Sequence, residues 1–143
     1  MSIILTQTDT TVGFLSQNAQ KLFEIKSRES SKPFIKVFSS LKNFSNSGLR
    51  VANRHKRALR RAKKTSFISK GTAFRVANTT LNSQILRDLK WNYSTSANES
   101  AKNFNIKFCE QKADIIIQNR DGLSENSSSS LYKLGQRKKR RLR

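Results

Sequence analysis

A chain of 143 residues with 35% hydrophobic residues sets an expectation of one domain with a modest core. Its 29 Lys and Arg against 9 Asp and Glu leave a formal charge of +20, which repels itself unless phosphates or another polyanion are near. One cysteine, Cys109, excludes an internal disulfide, and one histidine, His55, leaves no cluster of metal ligands, so no metal site is expected.

Residues 1–5 are apolar but give way to Thr, Gln and Asp, too short a run for a signal peptide or a spanning helix, and the cytoplasm is the expected location. Residues 3–5 read as a short buried strand and residues 6–13 as a polar turn. From Gln17, apolar residues at Ala19, Leu22, Phe23 and Ile25 keep helical spacing, in a helix that ends near Arg28 because Pro33 forbids its continuation. Residues 34–38 read as a strand and 39–49 as a Ser/Asn/Gly-rich loop. Residues 50–64 carry eight Lys/Arg in fifteen positions and predict a helix with a thin apolar stripe.

Residues 66–68 and 72–76 predict two strands around a Lys70-Gly71 turn, followed by a helix over 81–89 and a strand over 91–95. Residues 107–112 predict a short helix and 115–117 are the best candidate for a buried strand, while 124–130 predict a low-complexity loop and 131–134 a last strand. Residues 137–143, with six Lys/Arg in seven, are expected to be a mobile tail, so the domain is 1–135 and the basic tail 136–143. Alternating strands and helices without an internal repeat predict an α/β domain with one twisted mixed sheet flanked by helices.

Lys26 and Arg28, two cations at a helix end, can clamp a phosphate chain, although a solvated helix end produces the same pair. Lys32-Pro33 follows, the proline fixing the chain as it enters a strand. The run Ser94-Thr95-Ser96-Ala97-Asn98 leaves a strand; it can hold an anion, with the Asn amide reading a nucleotide or a carbamate, or it can cap a helix. No Ser–His arrangement and no Gly-rich Walker loop is present, which excludes conventional hydrolase and kinase readings. Arg50, Arg54, Arg57, Arg60 and Arg61 could track an RNA backbone or be merely solvated. Trp91, Tyr93, Phe104, Phe108 and Cys109 are expected in the core, and His55 at the surface.

As an ordered set these pieces resemble the YrdC-like family, the threonylcarbamoyl-AMP synthases, as a short divergent member. The family's Pro-Thr-Asp-Thr-x-Tyr-Gly-Leu stretch is similar to Gln7-Thr8-Asp9-Thr10-Thr11-Val12-Gly13-Phe14, with Gln7 in place of the proline and Val12 in place of the tyrosine. Its Lys-x-Arg and following Lys-Pro match Lys26, Arg28, Lys32 and Pro33, and its Arg-Val-Pro resembles Arg75-Val76-Ala77. Its Ser-Thr-Ser-Ala-Asn-x-Ser-Gly loop resembles residues 94–101, with Ala101 replacing the glycine. Ala113-Asp114-Ile115-Ile116-Ile117 is similar to the strand before its Ser-Thr turn, whose place residues 128–130 take.

The resemblance implies a single YrdC-like domain with a concave, positively charged face. It implies formation of threonylcarbamoyl-adenylate and pyrophosphate from L-threonine, bicarbonate and ATP, for threonylcarbamoyladenosine in tRNA. Magnesium would arrive with ATP, and the partners would be the tRNA threonylcarbamoyl-transferase proteins, with no membrane. Carried over by position, Lys26 and Arg28 would be catalytic. ATP would lie on Lys26, Arg28, Lys32, Thr65, Ser96 and Asn98, with Arg140 closing over it, and threonine on Thr8, Thr10, Ser94 and Ser128. The alternative is a non-catalytic protein on the same scaffold that binds tRNA or double-stranded RNA through Arg50, Arg54, Arg57, Arg60 and Arg61.

Overall fold

Large apolar residues recur at every second position in several extended runs of this chain, so each run has one face that must leave water. The computed structural model describes residues 2–26, 34–77, 88–99, 102–118 and 120–143, and joins these runs in one mixed sheet. Its strands are β1 (Ile4–Gln7), β2 (Val12–Ser16), β3 (Ile35–Phe38), β4 (Thr65–Ser69), β5 (Thr72–Val76), β6 (Trp91–Ser96), β7 (Ile115–Ile117), β8 (Ser130–Leu134) and β9 (Lys139–Arg141). Across the sheet they run β7-β1-β2-β6-β3-β5-β4-β8-β9. The β1–β7, β3–β5 and β4–β8 pairs are parallel and the others antiparallel. The described helices are α1 (Ala19–Lys26), α2 (Leu41–Asn46), α3 (Asn53–Arg61) and α4 (Ile106–Lys112). None of them is long and apolar enough to cross a membrane.

The helices bury one face of the sheet in two clusters. Leu5, Val12 and Phe14 pack with Leu22 of α1, Phe34 and Cys109 of α4. Phe38, Phe67 and Phe74 pack with Phe44 of α2 and Leu59 of α3. The register places Gly13 beside Ser96, Ser94 between Leu15 and Ile35, and Val37 between Asn92 and Arg75. Alternation sends these residues to the opposite face, which is buried yet polar: Thr6, Ser66, Arg75, Asn92 and Ser94 are each under a tenth exposed. This inversion positions the site.

Several sequence expectations change in the folded chain. The stretch 39–49 contains α2, because the Ser40 hydroxyl accepts from the Asn43 N–H at 3.1 Å and Phe44 finds the rings of Phe74 and Phe38 at 4.7 and 5.5 Å. The polar turn is shorter than expected, since β1 runs to Gln7 and β2 starts at Val12. Residues 115–117 do form a strand, but at the sheet edge, with Ile115 and Ile116 45% and 40% exposed; β-branched runs specify extension, not depth.

His55 is buried rather than exposed. It shares the inward stripe of α3 with Leu59, four residues on, and its Nε2 meets the Gly135 carbonyl at 2.8 Å. The basic segment after residue 136 is not a free tail: β9 pairs with β8, Lys133 opposite Arg140. Trp91 and Tyr93 are half-buried, and the Lys36 ammonium sits 4.0 Å from the Trp91 ring centre. Burial pushes the Lys36 pKa down. The expected helix over 81–89 lies, except for its last two residues, outside the described residues.

Phe74→Ala should cost about 3–5 kcal/mol of unfolding free energy, whereas Ile116→Thr at the exposed edge should stay within about 0.5 kcal/mol, both read by urea denaturation. Equal losses would contradict the assignment of core and edge.

Candidate functional site

The turn between β1 and β2 is built by one side chain. Thr8 Oγ1 donates to the Thr11 carbonyl at 2.6 Å and accepts from the Thr10 and Thr11 N–H groups at 3.3 Å. Residues 124–126 are pinned on this turn: Val12 N–H donates to the Ser124 carbonyl, Ser124 N–H to Gln7 Oε1, and Asn126 N–H to Thr11 Oγ1. A few residues later Ser129 reaches Ser66 of β4, hydroxyl to hydroxyl at 2.8 Å. A recess of about 220 Å³ forms between these segments and the polar face of the sheet. Thr8, Thr10, Ser94, Ser96, Ser128 and Arg75 line it, with Arg143 at its edge.

Arg75 is central. Phe74 and Val76 enter the core, so alternation turns Arg75 to the polar face, where the residue is 4% exposed. Its Nη2 lies 3.4 Å from Asp9 Oδ1 and its Nη1 donates to Thr10 Oγ1 at 3.3 Å. Its Nε–H is buried without a hydrogen-bond partner. Burial pulls the guanidinium pKa below its ordinary value, and the Asp9 carboxylate pushes it back up. Across Val37, both side-chain polar atoms of Asn92 are likewise buried and unpartnered. Buried polar atoms without a partner are costly unless a ligand or water completes them.

Lys26 enters from α1. Leu22 is buried in the core and fixes the roll of the helix, so Lys26, one turn later, points inward and is 3% exposed. Its ammonium donates to the Ser96 carbonyl at 2.9 Å and to Asn98 Oδ1 at 2.7 Å, while Ser96 Oγ donates to the same Asn98 oxygen at 2.7 Å. Asn98 Nδ2 donates onward to the Lys102 carbonyl. Beneath the loop, the buried Cys109 thiol lies 3.2 Å from the Ala97 carbonyl, and burial pushes its pKa up. Gly13 is required next to this loop, because a Cβ there would come within 3.0 Å of the Thr95 carbonyl.

The folded chain therefore brings Thr8, Thr10, Ser94, Ser96 and Ser128 to one recess and joins Lys26 and Asn98 to it through Ser96. Arg28 and Lys32 lie outside the described residues. Thr65 does not line the recess: it shares its strand face with Phe67 and donates to the Lys63 carbonyl, while Ser66, on the other face, bonds Ser129 of the recess lining. Arg140 is exposed on β9 and does not line the recess either. Arg143 does, its Nε donating to the Ser129 carbonyl at 2.9 Å. Arg50, Arg54, Arg57, Arg60 and Arg61 are exposed on and before α3, away from the recess lining. Asp9 and Arg75 were missed as site residues; a lone Arg between two large apolar residues of a strand was the available signal.

No protein-family model and no curated protein matches the sequence. Solved structures match the fold. Full-length HypF, in a phosphate- and nucleotide-bound form, is 15% identical with a TM-score of 0.76 over 99% of this chain and 26% of HypF. P. abyssi Sua5, complexed with L-threonine, is 18% identical with a TM-score of 0.78 over 99% of this chain and 50% of that protein. E. coli YciO is 16% identical with a TM-score of 0.78 over 99% of this chain and 82% of that one. The chain thus has the YrdC-like fold, a mixed α/β domain, and spans about a quarter of HypF and half of Sua5.

Asp9→Ala should destabilise the chain by about 2–3 kcal/mol, less than a fully buried pair because Asp9 is partly solvated. The double variant Asp9→Ala/Arg75→Met should be more stable than Asp9→Ala alone, since no unpaired cation remains. Additive losses in chemical denaturation would show that the pair is not coupled.

Proposed function

We propose that the recess binds a small amino acid by its carboxylate and that the chain is a threonylcarbamoyl-AMP synthase. The observation that carries this reading is the buried guanidinium of Arg75, with an unpartnered Nε–H, at a recess ringed by hydroxyls. A planar guanidinium suits a carboxylate, and its Nε lacks a partner until one arrives. Thr8, Thr10 and Ser94 would hold the threonine hydroxyl and amine. The co-crystallised L-threonine of Sua5 and the bound phosphate and nucleotide of HypF support this choice of ligands.

Lys26, Ser96 and Asn98 would receive the ATP phosphates at the loop after β6, joined by Arg28 and Lys32, with Ser128 at the rim between the two substrates. Arg143, rather than Arg140, would close over ATP. The threonine amine adds to carbon dioxide drawn from bicarbonate, with loss of water, and forms a carbamate. A carbamate oxygen then attacks the α-phosphorus, the bond from that phosphorus to the bridging oxygen breaks, and pyrophosphate leaves. Here the protein contributes positioning and fixed positive charge where phosphoryl oxygens gain negative charge. Magnesium belongs to the ATP substrate; no three His, Cys, Asp or Glu converge among the described residues. The product would pass to the tRNA threonylcarbamoyl-transferase proteins in the cytoplasm.

Pyrophosphate release from ATP and bicarbonate should require threonine and vanish in Lys26→Ala. Arg75→Gln should raise the threonine KM by about 10- to 100-fold and leave ATP binding unchanged. Threonine-independent release, or none from the folded protein, would overturn the reading.

A further inference from the structure

The two outer strands of the sheet differ in kind. All nine Asp and Glu residues fall at positions 9–29 and 88–125, so residues 30–87 and 126–143 contain no acid and hold 21 of the 29 Lys and Arg. The acid-free stretches supply β3, β5, β4, β8 and β9, five consecutive strands at one end of the sheet, with α2 and α3. The opposite end closes on β7, into which α4 leads. Residues 102–125, which contain both elements, carry four Lys and Arg against four Asp and Glu and have no net charge.

At the basic end, β9 is Lys139-Arg140-Arg141, an edge blunted by charge, which is a common protection against pairing with another chain. At the neutral end, β7 is Ile115-Ile116-Ile117 and has no such guard. Among the described residues its strand partner is β1 alone, so its outer row of backbone N–H and C=O groups faces outward. Five large apolar side chains are exposed among the described residues, and three of them, Ile106, Ile115 and Ile116, belong to α4 and β7. A short β-branched edge without a blunting charge is a template for another strand.

Charge decides which strand can use it. A two-fold axis normal to the sheet at Ile116 pairs two copies of β7 antiparallel, with Ile116 opposite Ile116 and Ile115 opposite Ile117. The register with β1 puts Ile116 on the face of Leu5, and Ile115 and Ile117 on the face of Ile4, so apolar side chains meet on both faces. Asp114 falls opposite Gln118, so no like charges oppose, and its carboxylate already accepts from the Ile3 N–H at 2.8 Å. The nearest acid-free strand, β3, then lies nine strand spacings from its copy. At about 4.8 Å each this is roughly 40 Å, several Debye lengths of about 8 Å at physiological salt. Pairing through β9 would instead set two Lys-Arg-Arg runs about 5 Å apart. A chain of charge +20 can therefore meet itself at the β7 end and not at the other. An acidic or basic strand would gain no ion pair from three isoleucines, whereas a second copy matches them in length, apolar pattern and neutrality at once.

We propose that the β7 edge is a self-association surface, through which a second copy of this chain joins two nine-stranded sheets into one, with the basic halves at its far ends. The recess is not part of this edge, and the inference does not depend on its chemistry. The ladder is short, so the dimer is reversible, with a Kd of about 1–100 μM.

The test is sedimentation equilibrium of the full chain from about 1 to 300 μM, in roughly 150 and 500 mM salt. The average mass should rise from one chain toward two, and at least as far in the higher salt, because screening weakens repulsion between the chains and leaves the apolar edge intact. Ile116→Lys, which sets two ammonium groups together on the axis, should raise Kd at least about tenfold. Leu142→Lys, at the basic end, should leave it within about twofold. Circular dichroism checks that Ile116→Lys folds, and Ile116→Thr replaces it if it does not. Mild oxidation fixes the geometry: Ile116→Cys should give a disulfide-linked dimer, since residues opposite each other across strands have Cα atoms within the span of about 4.4–6.8 Å that a disulfide needs. Leu142→Cys should not, and Cys109 is fully buried and takes no part. Three outcomes would overturn the proposal: association that falls as salt rises, equal cross-linking at 116 and 142, or a single-chain mass throughout, which leaves the edge to a different protein.

Discussion

A cation that the sheet cannot leave in water organises this molecule. Arg75 sits on β5 between two core residues, so strand alternation commits its guanidinium to the face away from the helices. A buried charge without a partner would cost several kcal/mol, and its compensation comes from Asp9 and Thr10, in the turn between β1 and β2. That turn must then lie over the sheet. Thr8 shapes it, and residues 124–126 pin it there. The recess is the volume left when this turn, the segment leading to β8 and the polar face of the sheet close around Arg75.

The opposite wall obeys a different constraint. Lys26 is placed by helix geometry: Leu22 must be in the core, and the residue four positions on shares its side of α1. Its ammonium becomes part of the loop after β6, held by Ser96 and Asn98, and Cys109 packs beneath that loop from α4. Two cations, one from a helix and one from a strand, therefore flank the same row of hydroxyls. Preorganised positive charge of this kind favours anions over neutral or cationic groups.

Charge is distributed over the fold in the same bipartite manner. The recess lies where the neutral and the basic parts of the sheet meet, with Ser94 and Ser96 on β6 and Arg75 on β5. Asp9 belongs to the neutral part and reaches across to Arg75, which makes the ion pair the seam between the two. His55 and Arg54 bind the basic hairpin to α3 through backbone carbonyls, so cations are brought together without any carboxylate between them.

Strand and helix segments with clear periodicity could be read from the chain: α1, α3, β5, β6 and β8 lie close to where apolar spacing puts them. The Thr8-Asp9-Thr10 and Ser94-to-Asn98 clusters were singled out by their family resemblance, since an ordinary turn or helix cap has the same residue types, and the fold brings both to one recess. Local pattern failed where depth or partnership was at stake. It could not tell that Ile115 and Ile116 are at an edge, that His55 is buried against Gly135, or that residues 139–141 extend the sheet. The family resemblance pointed to Arg140 and Thr65, neither of which lines the recess, whereas Arg143 does, because only the fold decides which cations reach it. The sequence by itself determined the alternation that makes a two-faced sheet, the polar loops and the segregation of charge, all of which depend on residues near one another in the chain. Tertiary structure alone decided that Arg75, Thr10, Ser94, Ser128 and Arg143 share one recess, because strand order and register join positions separated by up to more than a hundred residues.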